Sequence, residues 1–122
     1  LPGFMPAFDA AAALVKLLEL LARHDVKLSS VVAGLPRSHV AHETVVTPWE
    51  QKGLIMRSLV ETTSPDRLVL VDGVKVLHDD GWALALPDAT EPVTHVWAEA
   101  ATDAEARARA LEYGRRVRQL MR

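Results

Sequence analysis

No cysteine occurs in the 122 residues. Disulfides and thiolate chemistry are therefore excluded, and the redox compartment is left open. No apolar run approaches the roughly 20 residues that a membrane-crossing helix needs, so no membrane partner is expected. The formal net charge is −2, too small for a field that would gather nucleic acid, and no nucleic-acid partner is expected. The opening LPGFMPAFDA has neither a charged n-region nor a long apolar core, so a signal peptide is not expected. The chain does not begin with Met and is read as a fragment of a longer protein. Neither an activated nucleophile nor a metal-ligand cluster stands out, which argues against a free-standing phosphotransfer enzyme.

What is present suits one compact domain plus part of another: 49% of residues are hydrophobic, and a chain of about this length buries roughly two-thirds of its unfolded surface. Asp9 is placed as an N-cap, followed by a helix over 10–23 with Leu14, Leu17, Leu18 and Leu21 at helical spacing. A short helix over 29–33 ends at Gly34 and Pro36. His39 to Val46 reads as a strand. Thr47-Pro48-Trp49-Glu50 opens a helix to about Glu61, with Thr47 as cap and Glu50 completing a capping box. Met56, Leu59 and Val60 are placed on its apolar side.

Hairpin signals follow. Strands are expected over 67–71 and 74–78, joined at Asp72-Gly73 by a two-residue turn with both positions at positive φ. Asp79-Asp80-Gly81 turns the chain into a strand over 82–86. A proline-bracketed loop leads to a strand over 93–99. Thr102 and Glu105 form a second capping box. The last helix carries Ala106, Ala110, Tyr113, Val117 and Leu120 on one stripe. Its arginines (Arg115, Arg116, Arg118, Arg122) crowd the C-terminal half, where the helix dipole favours cations. The expected fold is α+β: an antiparallel sheet of about four strands with helices on one face. The boundary is set near Pro36-Arg37, giving a helical remnant over 1–36 and a compact domain over 37–122.

Most chemistry-bearing residues have a plain structural reading. His39 and His42 lie on opposite faces of a strand, the wrong arrangement for shared metal ligation. His78, Asp79 and Asp80 suit a polar turn better than a chelate. Asp88 and Glu91 read as turn acids rather than an acid–base pair, with Glu91 placed to hold the loop shape by accepting hydrogen bonds. Trp82 and Trp97 are expected in the core beneath the helices rather than as a stacking platform. Trp49 is expected to staple helix to sheet, and the arginine helix to present a solvated face.

The order of elements, with TPWEQKGLIMRSLVE and VDGVKVLHDDGWALALPDATEPVTHVWAEAATDAEA, resembles the C-terminal region of the α-D-phosphohexomutases, the phosphomannomutase and phosphoglucomutase family. FDAAAALVKLLELLARHDVKLSSVVAGLP resembles the last helices of that family's third domain. The family's phosphate loop reads R-P-S-G-T-E-P with a further arginine three residues on. Pro87, Thr90, Glu91 and Pro92 keep the pattern. Leu86, Asp88, Ala89 and His95 replace the arginine, serine, glycine and later arginine. Charge-assisted hydrogen bonds of about 1.5–3 kcal/mol each go with the arginine, and Asp88 adds a like charge. The resemblance implies a degenerate site with weak if any sugar-phosphate binding, at Ala89, Thr90 and Glu91, with His95 as a cation when protonated.

DGVKVLHDDGW…LPD…EPVTHVWAE is similar, more narrowly, to bacterial fusions in which a mannose-1-phosphate guanylyltransferase precedes a mutase-like region. Such a parent is expected to be cytoplasmic, to make nucleotide sugars and to use Mg²⁺, with no cofactor and no catalytic residue in this fragment. The upstream domains of the parent chain are its expected partners. A module for self-association, as a homodimer, or for docking onto a nucleotidyltransferase is the alternative.

Overall fold

The structure is a computed structural model that describes residues 9–121. Residues 1–8, which hold most of the stretch tested as a signal peptide, and Arg122 lie outside the described residues. The backbone divides into two compact units, Leu1–Arg37 and Ser38–Arg122.

The first unit is helical. α1 spans Ala10–His24, and α2 spans Leu28–Ala33. Asp9 caps α1 as expected: its carboxylate accepts from Ala12 N–H at 3.0 Å. Asp25 ends the helix in the left-handed conformation, φ 48. No residue of either helix is buried, and Leu14 and Leu18 are each 56% exposed.

The second unit is an antiparallel sheet with two helices on one face. Its strands are β1 (His39–Val46), β2 (Leu68–Leu70), β3 (Val74–His78), β4 (Gly81–Pro87) and β5 (Val93–Ala100), in the order β1-β5-β4-β3-β2. The sheet thus has five strands rather than about four, the short β2 forming one edge. The helices are α3 (Trp49–Glu61) and α4 (Asp103–Leu120). Strand alternation puts Val45, Val74, Val76, Ala83, Ala85 and Val96 on the covered face. They meet Ile55 and Leu59 of α3, and Tyr113 and Val117 of α4. The stripe predicted for α4 is the buried one, since Ala106, Ala110, Tyr113 and Val117 are all buried and Leu120 is partly so. Thr102 caps α4 as expected, since Glu105 N–H donates to Thr102 Oγ1 at 3.3 Å; the Glu105 carboxylate accepts from the Thr102 hydroxyl at 2.8 Å rather than from the backbone N–H of the expected capping box.

Three local expectations are corrected. Thr47 does not cap α3; the helix begins at Trp49 after Pro48, and the buried Thr47 hydroxyl donates to Val45 C=O at 3.0 Å. The β2–β3 turn is not a two-residue turn with paired positive φ. Leu70 faces Val74 across a three-residue loop, in which Asp72 alone has positive φ, at 59. Gly73 is needed there for closeness instead, since a Cβ would lie 2.4 Å from Ala85 C=O. Trp82 and Trp97 are not in the core. They alternate with the buried Ala83, Val96 and Ala98, so they stand on the face opposite the helices. Trp97 is 37% exposed.

Candidate functional site

The loop between β4 and β5 is closed by its own first residue. Asp88 Oδ1 accepts from Thr90 N–H at 2.7 Å, Glu91 N–H at 2.7 Å and the Thr90 hydroxyl at 2.9 Å. Successive backbone N–H groups of this kind form a concave anion receptor. The anion in this receptor is the chain's own carboxylate. Those contacts hold the Asp88 carboxyl well below the usual carboxylate range; Thr90 N–H contributes most, then Glu91 N–H, the Thr90 hydroxyl and His95.

The frame of the loop is rigidly tied. Asp88 N–H donates to Val93 C=O at 3.0 Å, Val93 N–H to Glu91 C=O at 2.8 Å, and Thr47 N–H to Pro92 C=O at 2.7 Å. From α3, the buried Lys52 ammonium donates to Asp88 C=O at 2.6 Å and to Glu91 C=O at 2.5 Å. It also lies 3.7 Å from the centroid of Trp49. Trp49 is 51% exposed and serves as this cation's aromatic partner, not as a helix–sheet staple. Glu91 was expected to hold the loop shape with its carboxylate. That role falls to Asp88, while Glu91 contributes its backbone.

His95 continues the loop onto the open sheet face. Its Nε2 is 3.2 Å from Asp88 Oδ2, and its Nδ1 is 3.0 Å from His42 Nε2 on β1. His42 stacks on Trp97 with centroids 4.1 Å apart and planes 17° apart. Burial first, and the neighbouring His95 second, lower the His42 pKa, with Glu43 opposing. Leu86 is the cross-strand partner of His95, so an apolar side chain stands beside the loop.

The other candidates disperse to separate partners. His39 Nδ1 pairs with Asp103 Oδ1 at 2.9 Å, away from His42. Asp79 pairs with Arg67 at 3.2 Å and Asp80 with Arg109 at 2.5 Å, while His78 Nε2 is 3.0 Å from the Tyr113 hydroxyl. The Arg109 hydrogen bond is the main cause of a lowered Asp80 pKa. On α4, Arg116 pairs with Glu112 at 2.7 Å and Arg118 with Glu43 at 2.5 Å. Among the described residues, no cluster of three or more His, Asp or Glu is placed to hold a metal ion. None of the described helices is long and apolar enough to cross a membrane.

Lys52 and the His42–His95 contact go beyond the residues that the sequence singles out. Lys52 had a signal: it shares a helical stripe with Ile55 and Leu59, and a lysine on a buried stripe must find acceptors. The histidine contact joins residues 53 apart in sequence and had no local signal.

No family model matches the chain. A probable phosphoglucosamine mutase of Methanopyrus kandleri is 40% identical over 94 residues, which is 75% of this chain and 21% of that protein. A phosphoglucomutase/phosphomannomutase of Thermococcus kodakarensis is 27% identical over 108 residues, 87% of this chain and 24% of that protein. The crystal structure of a phosphoglucomutase/phosphomannomutase family protein from Burkholderia thailandensis superposes with a TM-score of 0.66 at 27% identity, over 86% of this chain and 22% of that one. The chain spans about a fifth of the length of the curated relatives it matches. Its homologues are the phosphoglucosamine mutases and phosphoglucomutase/phosphomannomutases, members of the α-D-phosphohexomutase family.

Proposed function

We propose that this chain is the C-terminal, loop-bearing domain of a cytoplasmic sugar-nucleotide enzyme, joined to the helical end of the domain before it. In this reading the parent is a fusion of a mannose-1-phosphate guanylyltransferase with a mutase-like region. This chain contributes no catalytic residue. Mg²⁺ and the reacting groups belong to upstream domains.

One observation carries the functional part of the reading: Asp88 takes the Thr90 and Glu91 donors that the loop has to offer an anion. A sugar phosphate at Ala89–Glu91 would have to displace a carboxylate held by three hydrogen bonds. It would gain no guanidinium, because Leu86 stands at that position. His95 is already engaged with Asp88 and His42. The loop is thus a structural turn with weak, if any, affinity for sugar phosphate. Calorimetric titration with mannose 1-phosphate tests this. The native chain should show no saturable heat, and the double variant Leu86→Arg/Asp88→Ser should bind. An unchanged variant would contradict the assignment of the loop.

A second reading rests on α1, whose Leu14, Leu17 and Leu18 are exposed. An apolar stripe of this kind favours self-association or docking onto a nucleotidyltransferase. Light scattering separates the two readings: a dimer that dissociates when residues 1–36 are removed supports the interaction module.

A further inference from the structure

Beside the loop, two imidazoles from neighbouring strands approach nitrogen to nitrogen. His42 Nε2 and His95 Nδ1 are 3.0 Å apart. Two nitrogens bound at about 2.05 Å to one ion lie about 2.9 Å apart at a right angle and about 3.3 Å apart at the tetrahedral angle. The observed separation falls within that range. Only the ring directions must change, by a tilt of about 35–45° that takes each lone pair off the line joining the nitrogens. His42 is exposed on the uncovered sheet face, with Trp97 stacked on one side of its ring.

We propose that His42 and His95 form a binding site for a first-row divalent transition ion, zinc(II) or copper(II), with Asp88 as the carboxylate that positions His95. The Asp88 contact is at the nitrogen of His95 that faces away from His42, at 3.2 Å. A carboxylate there fixes the tautomer with the proton on Nε2 and leaves Nδ1 bare for the ion, the arrangement that metal-binding histidines commonly use. Asp88 is itself held by Thr90 and Glu91, so the orientation is built in. His42 stacks on Trp97, and ligation uses its neutral ring. Imidazole nitrogens suit zinc and copper over magnesium or calcium, and copper binds more tightly than zinc. With two protein donors, the ion keeps water in its remaining positions and exchanges with solvent. The site does not depend on whether the loop accepts phosphate.

The test is titration of the full chain with CuCl2 and ZnCl2, followed by calorimetry and by tryptophan fluorescence, which copper at His42 quenches through the stacked Trp97. One ion per chain is expected, in the native chain and in the control His24→Ala. His42→Ala and His95→Ala should each weaken binding more than tenfold. His42→Gln keeps a stacking plane and should do the same with the fold verified by circular dichroism. Asp88→Asn should weaken binding about 10- to 100-fold. No uptake by the native chain, or affinity unchanged in the histidine variants, overturns the site. Unchanged affinity in Asp88→Asn overturns the role given to Asp88.

Discussion

Lys52→Met asks how much of the loop's order comes from α3. Methionine nearly conserves the volume of the buried side chain, so packing changes little. What disappears is one cation with two charge-assisted hydrogen bonds, to Asp88 C=O and Glu91 C=O. Such bonds contribute about 1.5–3 kcal/mol each. The contact with Trp49, half exposed, adds about 0.5–1 kcal/mol. Two effects reduce the total. The freed carbonyls sit in an exposed loop and can turn to water, and the ammonium no longer has to be desolvated. A net loss of about 2–4 kcal/mol remains. All three tryptophans, Trp49, Trp82 and Trp97, lie in the second unit, so their fluorescence follows that unit alone during urea unfolding. With a slope of about 1–3 kcal/mol per molar urea, the midpoint should fall by about 1 M or more. Amide exchange at Thr90 and Glu91 should accelerate in parallel. A midpoint within about 0.2 M of the native value, with loop exchange unchanged, would refute the anchoring role.

Asp88 has a depressed folded-state pKa, so it contributes stability that is present above its unfolded value of about 3.9 and is lost as pH falls below that point. Asp88→Asn should therefore flatten the acid limb of a melting-temperature profile below about pH 4; an unchanged limb would contradict the hydrogen bonding described. Two glycines should respond in opposite senses to alanine. At Gly81, φ is 152 and a Cβ would lie 2.1 Å from Glu99 C=O, so Gly81→Ala should destabilise by about 1–3 kcal/mol or more in urea titration. At Gly53, within α3, nothing lies within 4 Å of an added Cβ, and Gly53→Ala should stabilise by about 0.5–1 kcal/mol in the same titration.

Periodicity and capping chemistry located the elements closely. His39–Val46 and the end of α3 at Glu61 coincide with expectation, and both the Asp9 and the Thr102 N-caps form. These features are local, so neighbours in sequence determine them. The face on which the helices lie was not legible in β4. Trp82, Leu84 and Leu86 alternate with Ala83 and Ala85, and size favours the larger set as core. The alanine face is the covered one: Ala83 and Ala85 pack in the core with Tyr113 and Val117 of α4 and Ile55 and Leu59 of α3, and the tryptophans are left on the open side. At the loop, residue types indicated that an anion would be unwelcome. The inward turn of Asp88 is a local device, an Asp carboxylate bonding to N–H groups two and three residues on; the hold of Lys52 on the loop carbonyls joins residues 36 apart.

The central claim is that the Asp88 carboxylate fills the place an anion would take. The most direct measurement follows the backbone amide resonances of Thr90 and Glu91 during titration with inorganic phosphate, in the native chain and in Asp88→Gly. The amides should stay unmoved in the native chain and shift saturably in the variant, whose donors are vacated. Saturable shifts of equal size in the native chain would contradict the account.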